Sequence, residues 1–511
     1  MTTNIDDRAR TVVPRWRPSL VSAFTGELSS AGSLHPALFP TRAYLDTKLA
    51  EWLHNPSIET AADLVSSALV VGATDEAAPA ARAILTDPST ATSAVKLIAK
   101  RLLYAWSPEE ISTLVTLPSL GPPATLEAAA RSRIRILKRA LSDSPRNALK
   151  WADLALEYAR LAQGDKAFWA MERALSIAPQ DRFLLRSYCR LAVHFNQPDK
   201  AHDLLLRSRR TNEDPWLMAP EIAVASIRGH TSRNIKKAIA LLNSNSFSPR
   251  HTSELASALA TVDLMSGDFR MSRRYFRDSL KNPTDNALAQ ASWASKRLGG
   301  LDLDPSLFDQ PLSFEARTRR FRDLSEWADT VNSSVDWMKD EPFSSRPALT
   351  GSYVTSIALQ DFQLAEKFAR VGLLANPDDV VLRNNLAYIL ASLDRVDEGW
   401  LEFEKINQLG LAPTETCVLT ATRGLLHFRS GDPEIGRGLY EAAVNSATGE
   451  DGDRLRALAL LHLAREENRL DPIRARIAFD GAQRYIATSD ANEIKALASI
   501  IENTLAPGLR S

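Results

Sequence analysis

Residues 147–181 read NALKWADLALEYARLAQGDKAFWAMERALSIAPQD. In the first half Trp151, Leu154, Ala155 and Tyr158 are separated by three, one and three positions, which places all four on one face of a helix. QGD at 163–165 interrupts that helix. Ala167, Met171 and Ala174 then line the face of a second one, and Pro179 stops it. Small side chains at Ala155 and Ala167 let the two helices approach closely, while Trp151, Tyr158 and Met171 fill the space on either side. One such pair cannot bury its own apolar stripe, so the pattern requires neighbours.

The spacing resembles the tetratricopeptide repeat, a helix-turn-helix unit of 34 residues with the pattern W-x2-L-G-x2-Y, then A-x3-F, then P. Ala155 replaces the glycine and Met171 the phenylalanine, both within the size class. Pro145 precedes Pro179 by one repeat length, and RIRILKRALSDSP at 133–145 supplies a preceding second helix through Leu137 and Ala140. Further copies carry Tyr188, Cys189, Ala201 and Leu205; Leu259, Ala260, Ser272 and Phe276; Leu386, Ala387, Leu390, Gly399 and Phe403; and Gly424, Gly436, Tyr440 and Ala443. Weaker copies lie at 216–249, 346–379 and 453–487. About eight units thus cover roughly 125–488. The implied fold is all-α, an α-solenoid of stacked helix pairs with a divergent helical N-terminal region.

The divisions expected are a divergent helical region at 1–124, a first array at 125–284, an irregular repeat at 285–345, a second array at 346–488 and a capping helix with its tail at 489–511. In the irregular repeat, GGLDLDPSLFDQP at 299–311 reads as an expanded turn or a hinge. Ser107 and Pro108 read as the start of an N-terminal helix, and LPSLGPPA at 117–124 as a break.

Acidic and basic residues balance at 62 each, so no overall field favours nucleic acid or an anionic surface. With 44% hydrophobic and 24% charged residues, the chain reads as a soluble cytoplasmic protein. The opening MTTNIDDRAR lacks the apolar core of a signal peptide, and LVSSALVVGA is too short for a membrane span. Arginine-over-lysine usage with abundant alanine suggests a GC-rich bacterial source. Cys189 and Cys417 form no metal or disulfide motif. Cys189 reads as core, and Cys417, at the start of a helix, as partly exposed. No zinc, nucleotide-phosphate or nucleophile-elbow motif occurs, so no catalytic residue, metal or cofactor is expected.

The resemblance implies that the first helix of each pair lines a concave groove. Arg186, Arg190 and His194 follow at four-residue steps on such a helix, Arg160 occupies a similar place one repeat earlier, and Asn384 and Tyr388 hold comparable positions later. A basic strip of this kind suits a carboxylate or an acidic peptide, although a solvated helix face shows the same stripe and is the preferred reading. Thr350 and Val354 stand where the carboxylate-clamp subgroup needs basic partners, which argues against chaperone-tail binding. A second basic cluster, Arg317, Arg319, Arg320 and Arg322, lies beside Phe321 and Trp327. A third, Arg131 to Arg139, has no interleaved aromatics and reads as a solvated helix back.

Finally, RTVVPRWRPS at 10–19 is held extended by its prolines. Arg15, Trp16 and Arg17 suit a strap whose indole plugs a gap while the guanidiniums reach acidic surface. The functional expectation is a non-catalytic adaptor binding a protein partner, such as an enzyme subunit encoded beside it. A ligand-responsive sensor and an RNA or single-strand DNA binder are the alternatives, and no membrane partner is expected.

Overall fold

The structure is a computed structural model and describes residues 10–17, 42–71, 73–86, 93–103, 123–244, 246–310, 312–449, 451–487 and 491–505. The helix expected to begin at Ser107 lies outside these residues, as do Pro18 and Ser19. Twenty-five α-helices and no strand are found among the described residues.

Four helices come first: α1 (Arg42–His54), α2 (Ile58–Val71), α3 (Thr74–Thr86) and α4 (Ser93–Leu103). They enclose a core of their own built on Leu45, Leu64, Val65, Ala80 and Ile84. The long α5 (Pro123–Asp143) leads into α6 (Ala148–Ala159) and α7 (Gly164–Ile177), α8 (Arg182–His194) and α9 (Pro198–Arg207), α10 (Pro215–Ile227) and α11 (Ile235–Asn243), then α12 (Pro249–Ser266) and α13 (Phe269–Ser279). Next come α14 (Asp285–Leu298), α15 (Phe314–Asp323) and α16 (Trp327–Asp340). The last part comprises α17 (Ser345–Ile357) and α18 (Phe362–Ala375), α19 (Val380–Ser392) and α20 (Val396–Glu404), α21 (Pro413–Arg429) and α22 (Pro433–Ser446), α23 (Gly452–Glu467) and α24 (Pro472–Ala487), and the closing α25 (Asn492–Thr504).

Local chemistry sets the starts of these helices. The Asn147 side chain accepts from the Lys150 amide at 3.0 Å, and Asp181 accepts from Leu184 at 2.9 Å, satisfying donors that the first turn leaves free. Pro215, Pro249, Pro413 and Pro433 open their helices at the first turn, where no amide hydrogen is needed. Ala155, Ala167, Met171 and Ala174 are all buried, as the small-and-large pattern requires. Cys189 is buried too, and burial pushes its thiol up to about 12. Cys417 differs from its expected exposure: it is fully buried beneath α22, with Sγ 3.2 Å from the Ala443 carbonyl oxygen.

Residues 285–345 hold three helices, because a short break at Leu324–Glu326 separates α15 from α16. The segment before them contains a 3-10 turn at Pro305–Asp309 and is pinned to its surroundings. Leu301 and Phe308 are buried, Arg320 lies over the Phe308 ring, and Arg273 donates to the Leu298 carbonyl at 2.9 Å. Helices far apart in sequence also meet: α5 packs against α18, and Leu126 touches the core cluster built from residues 331–505. At the far end, α25 packs on α17 and α23, and Glu493 accepts from Arg322 at 2.9 Å.

One close crossing of a pair lies between α21 and α22. A Cβ at Gly436 would sit 2.4 Å from the Phe428 ring and 2.9 Å from the Gly424 carbonyl oxygen. Gly436→Ala is therefore expected to destabilise the chain by about 1–3 kcal/mol through overpacking. Gly438, two positions on in the same helix, has nothing within 4 Å of such an atom. Gly438→Ala should instead stabilise, by roughly 0.5–1 kcal/mol. Urea denaturation of the two variants checks this opposition in sign.

Candidate functional site

Residues 10–17 form a non-helical segment seated on α14, α15 and the end of α16. The contacts are made at both backbone and side-chain level. Asn286 on α14 donates its amide to the Val13 carbonyl at 2.9 Å, and Gln290, one turn later, donates to the Arg10 carbonyl at 2.7 Å. These two amides read the peptide backbone at positions three residues apart. Val12 and Trp16 are both fully buried, on different core clusters. The Trp16 ring packs on Phe343 with centroids 5.5 Å apart.

Three guanidiniums then fix the segment. Arg10, only 3% exposed, donates to both oxygens of Glu315 at 2.8 Å and to Asn286 Oδ1 at 2.9 Å. Arg15 donates to Glu315, Glu341 and Asp285, the last at 3.2 Å. Arg17 spans Asp340 and Asp285 at 2.6 and 2.8 Å. Glu341 also accepts from the Trp337 indole at 2.8 Å, and Glu315 from Arg346 at 3.3 Å. Bidentate, charge-assisted pairs of this kind are the strong ones, and burial makes each dependent on its partner.

Burial opposes ionisation of Glu315, but Arg10, Arg15 and Arg346 outweigh it and hold the carboxyl well below the usual range. Asp285 behaves alike and lies at about 2, burial being overcome by Arg17 and Arg15. Burial of Glu341 is overcome by Arg15 and Arg190. Asp340 is the exception: burial prevails over Arg17 and raises it.

The residues expected to line one groove are distributed among several internal contacts. Arg190 and His194 reach the strap's neighbourhood through Phe343. The Arg190 guanidinium lies 4.8 Å over that ring and the His194 ring 5.1 Å from it. Burial and Arg190 push His194 down to about 3, so it is neutral. Arg186 instead donates to the Trp216 carbonyl at 2.7 Å and to Glu254 at 2.8 Å. Arg160 pairs with Glu157 of its own helix at 3.0 Å. Asn384 and Tyr388 are buried on α19, where the Tyr388 hydroxyl accepts from Arg465 at 2.9 Å.

The cluster at 317–322 does not form one surface. Arg317 lies over Phe314 and Arg320 over Phe308, Arg319 approaches Glu315 at 3.8 Å, and Arg322 bonds Glu493. Of the earlier cluster, Arg131 pairs with Glu127 at the surface and Arg133 with Glu157. Nothing in the sequence pattern marked Asp285, Glu315, Asp340, Glu341 and Phe343 as a receptor for the N-terminus. Asn286 and Gln290, polar side chains four apart in an alanine-rich helix, were the available signal.

The succession of antiparallel helix pairs, each first helix stacked on the next, decides the architecture. It is an all-α solenoid. No family model matches the chain, and no curated protein matches it. Among solved structures, the human IFIT1 dimer with m7Gppp-AAAA is similar at 12% identity over 70% of this chain and 90% of that one, with a TM-score of 0.38. The APC/C hetero-tetramer Cut9–Hcn1 is similar at 13% identity over 92% of this chain and 88% of that one, with a TM-score of 0.41. No helix among the described residues is long and apolar enough to cross a membrane.

Proposed function

We propose that this chain is a non-catalytic protein-binding scaffold whose helices at 285–343 receive an arginine-rich segment with one aromatic anchor. The observation that carries this reading is the seating of residues 10–17. Amides at Asn286 and Gln290 read its backbone, carboxylates at 285, 315, 340 and 341 take its guanidiniums, and the surface around Phe343 takes its indole. A receptor of rigid helices loses little conformational freedom on binding, so most of the contact energy remains for affinity. The resident strap is the first occupant. A partner protein, such as the subunit of an enzyme complex, would engage the array by supplying an equivalent segment in exchange. A nucleic-acid reading draws less support, because the arginines at 317–322 face separate internal partners.

A labelled peptide of residues 8–19 tests the proposal. The double variant Arg10→Ala/Trp16→Ala, with its own strap weakened, is expected to bind the peptide saturably, with an affinity that falls as salt rises. The wild-type chain should bind it poorly, and a peptide with alanine at position 16 should not bind. A double variant that stays folded by circular dichroism and ignores the peptide would sink the idea of a peptide receptor.

A further inference from the structure

Beside the strap lies a partly open cavity of about 300 Å³. Four arginines and a single carboxylate are among its lining residues, with Arg15, Arg190, Arg346, Ser344, Asn286 and Glu341 the ones that matter here. Most of these side chains are already engaged. Arg15 donates to three carboxylates, Asn286 bridges Val13 and Arg10, and Glu341 accepts from Arg15 and Trp337.

Arg190 differs. Its Nε stands 3.8 Å from Glu341 Oε1, beyond hydrogen-bond reach, and its guanidinium makes no hydrogen bond with the described residues. It rests on Phe343 by its face alone. Its side chain is 14% exposed and has no hydrogen-bonded acceptor among the described residues. Consistently, burial lowers its pKa against the pull of Glu341. Ser344 is the second donor without a hydrogen bond to the described residues. It is 5% exposed, stands at the N-cap of α17, and its hydroxyl caps nothing. Beyond it, the first amides of α17 present the positive end of a 13-residue helix. Two donor side chains from different elements, neither of them hydrogen-bonded to the described residues, thus line one space.

We propose that this cavity binds a small oxyanion, a carboxylate- or phosphate-bearing molecule, with Arg190 as its principal donor and Ser344 and the start of α17 completing its shell. Glu341 does not repel such a ligand strongly, because Arg15 and Trp337 already engage its Oε2. The ligand would also lie against strap residues Thr11, Val13 and Arg15, so binding and strap seating stabilise each other. The site stands independently of any exchange of the strap for a partner's segment.

Calorimetric titration and thermal unfolding of the full chain at constant ionic strength, with inorganic phosphate, succinate and chloride as probes, test it. Phosphate or succinate is expected to bind saturably and raise the unfolding midpoint, and the arm that responds identifies the ligand chemistry. Arg190→Met keeps a long side chain over Phe343 and should weaken that binding about tenfold or more. Ser344→Asp places a carboxylate in the site, and this variant should lose the response while remaining folded. Equal stabilisation by chloride, no saturable binding by either oxyanion, or an undiminished response in Ser344→Asp would each overturn the proposal.

Discussion

Trp16→Ala should lower stability by about 3–5 kcal/mol, the range for truncating a large buried aromatic. The side chain is fully buried, touches Phe343, and joins a core otherwise built from residues 134–224 with Phe343 and Ala375. Its removal leaves a void between the helices at 134–224 and Phe343. Arg15 and Arg17 flank the residue, so the loss should also loosen their ion pairs. Trp16→Phe discriminates between packing and hydrogen bonding. The indole N–H is buried without an acceptor among the described residues, so phenylalanine removes an unmet donor and keeps a ring against Phe343. Its cost should stay within about 1–2 kcal/mol. Urea titrations followed by tryptophan fluorescence and circular dichroism measure both. A Trp16→Ala protein as stable as wild type would mean that the segment is not a structural strap, and loss of a partner in that protein would make it a docking motif.

Glu315→Gln should be comparably damaging, at about 3–5 kcal/mol, because it leaves buried cations without their counter-ion. Arg10, Arg15 and Arg346 all donate to this carboxylate. Glu398→Gln is the matched control: it also removes a paired carboxylate, but one that is 49% exposed, and should cost less than about 1 kcal/mol. Acid reproduces the Glu315 effect by protonation. The folded-state pKa values of Glu315, Asp285 and Glu341 are depressed, so their contribution is fully present above the ordinary carboxylate range near pH 4. It is lost as pH falls through the folded values, which for Asp285 means toward about 2. Asp340 is raised and acts in the opposite sense: protonation favours its folded form, and its contribution fades as pH rises through its folded value. Wild-type stability should therefore fall steeply below pH 4, and Glu315→Gln should show a shallower decline. Equal slopes in the two proteins would remove Glu315 from this account.

The fold was legible because its information is local and repeated. Trp151, Ala155, Tyr158, Ala167 and Met171 show helix period, close approach and filling within one 35-residue window, and later copies repeat the grammar with substitutions that conserve size. The additional break between α15 and α16 was not legible, since LSE at 324–326 contains neither glycine nor proline. The receptor for the strap lies at the opposite extreme. Arg10 and Glu315 are 305 positions apart, and Arg15 and Glu341 are 326 apart. In a single chain Glu315 looks like any acidic residue in the first turn of a helix. Arg15, Trp16 and Arg17 stood out because prolines and an aromatic among cations are unusual in a helical chain, but their acceptors carry no such mark. The basic residues at Arg186, Arg160 and Arg322 misled for a related reason: their partners Glu254, Glu157 and Glu493 sit on other turns or other helices, and a charge stripe looks the same whether solvent or protein neutralises it.

The strap also imposes an order of events on biosynthesis. Neighbouring helix pairs complete one another as they leave the ribosome, but residues 10–17 are made more than 300 positions before their partners Glu341 and Phe343. At the usual ~5–20 residues per second, that interval is roughly 15–65 seconds. Throughout it a segment carrying three arginines and a tryptophan has no finished site, while the receiving surface is assembled behind it. The segment is thus made long before the surface that receives it, and its seating waits until the chain has been synthesised through Phe343.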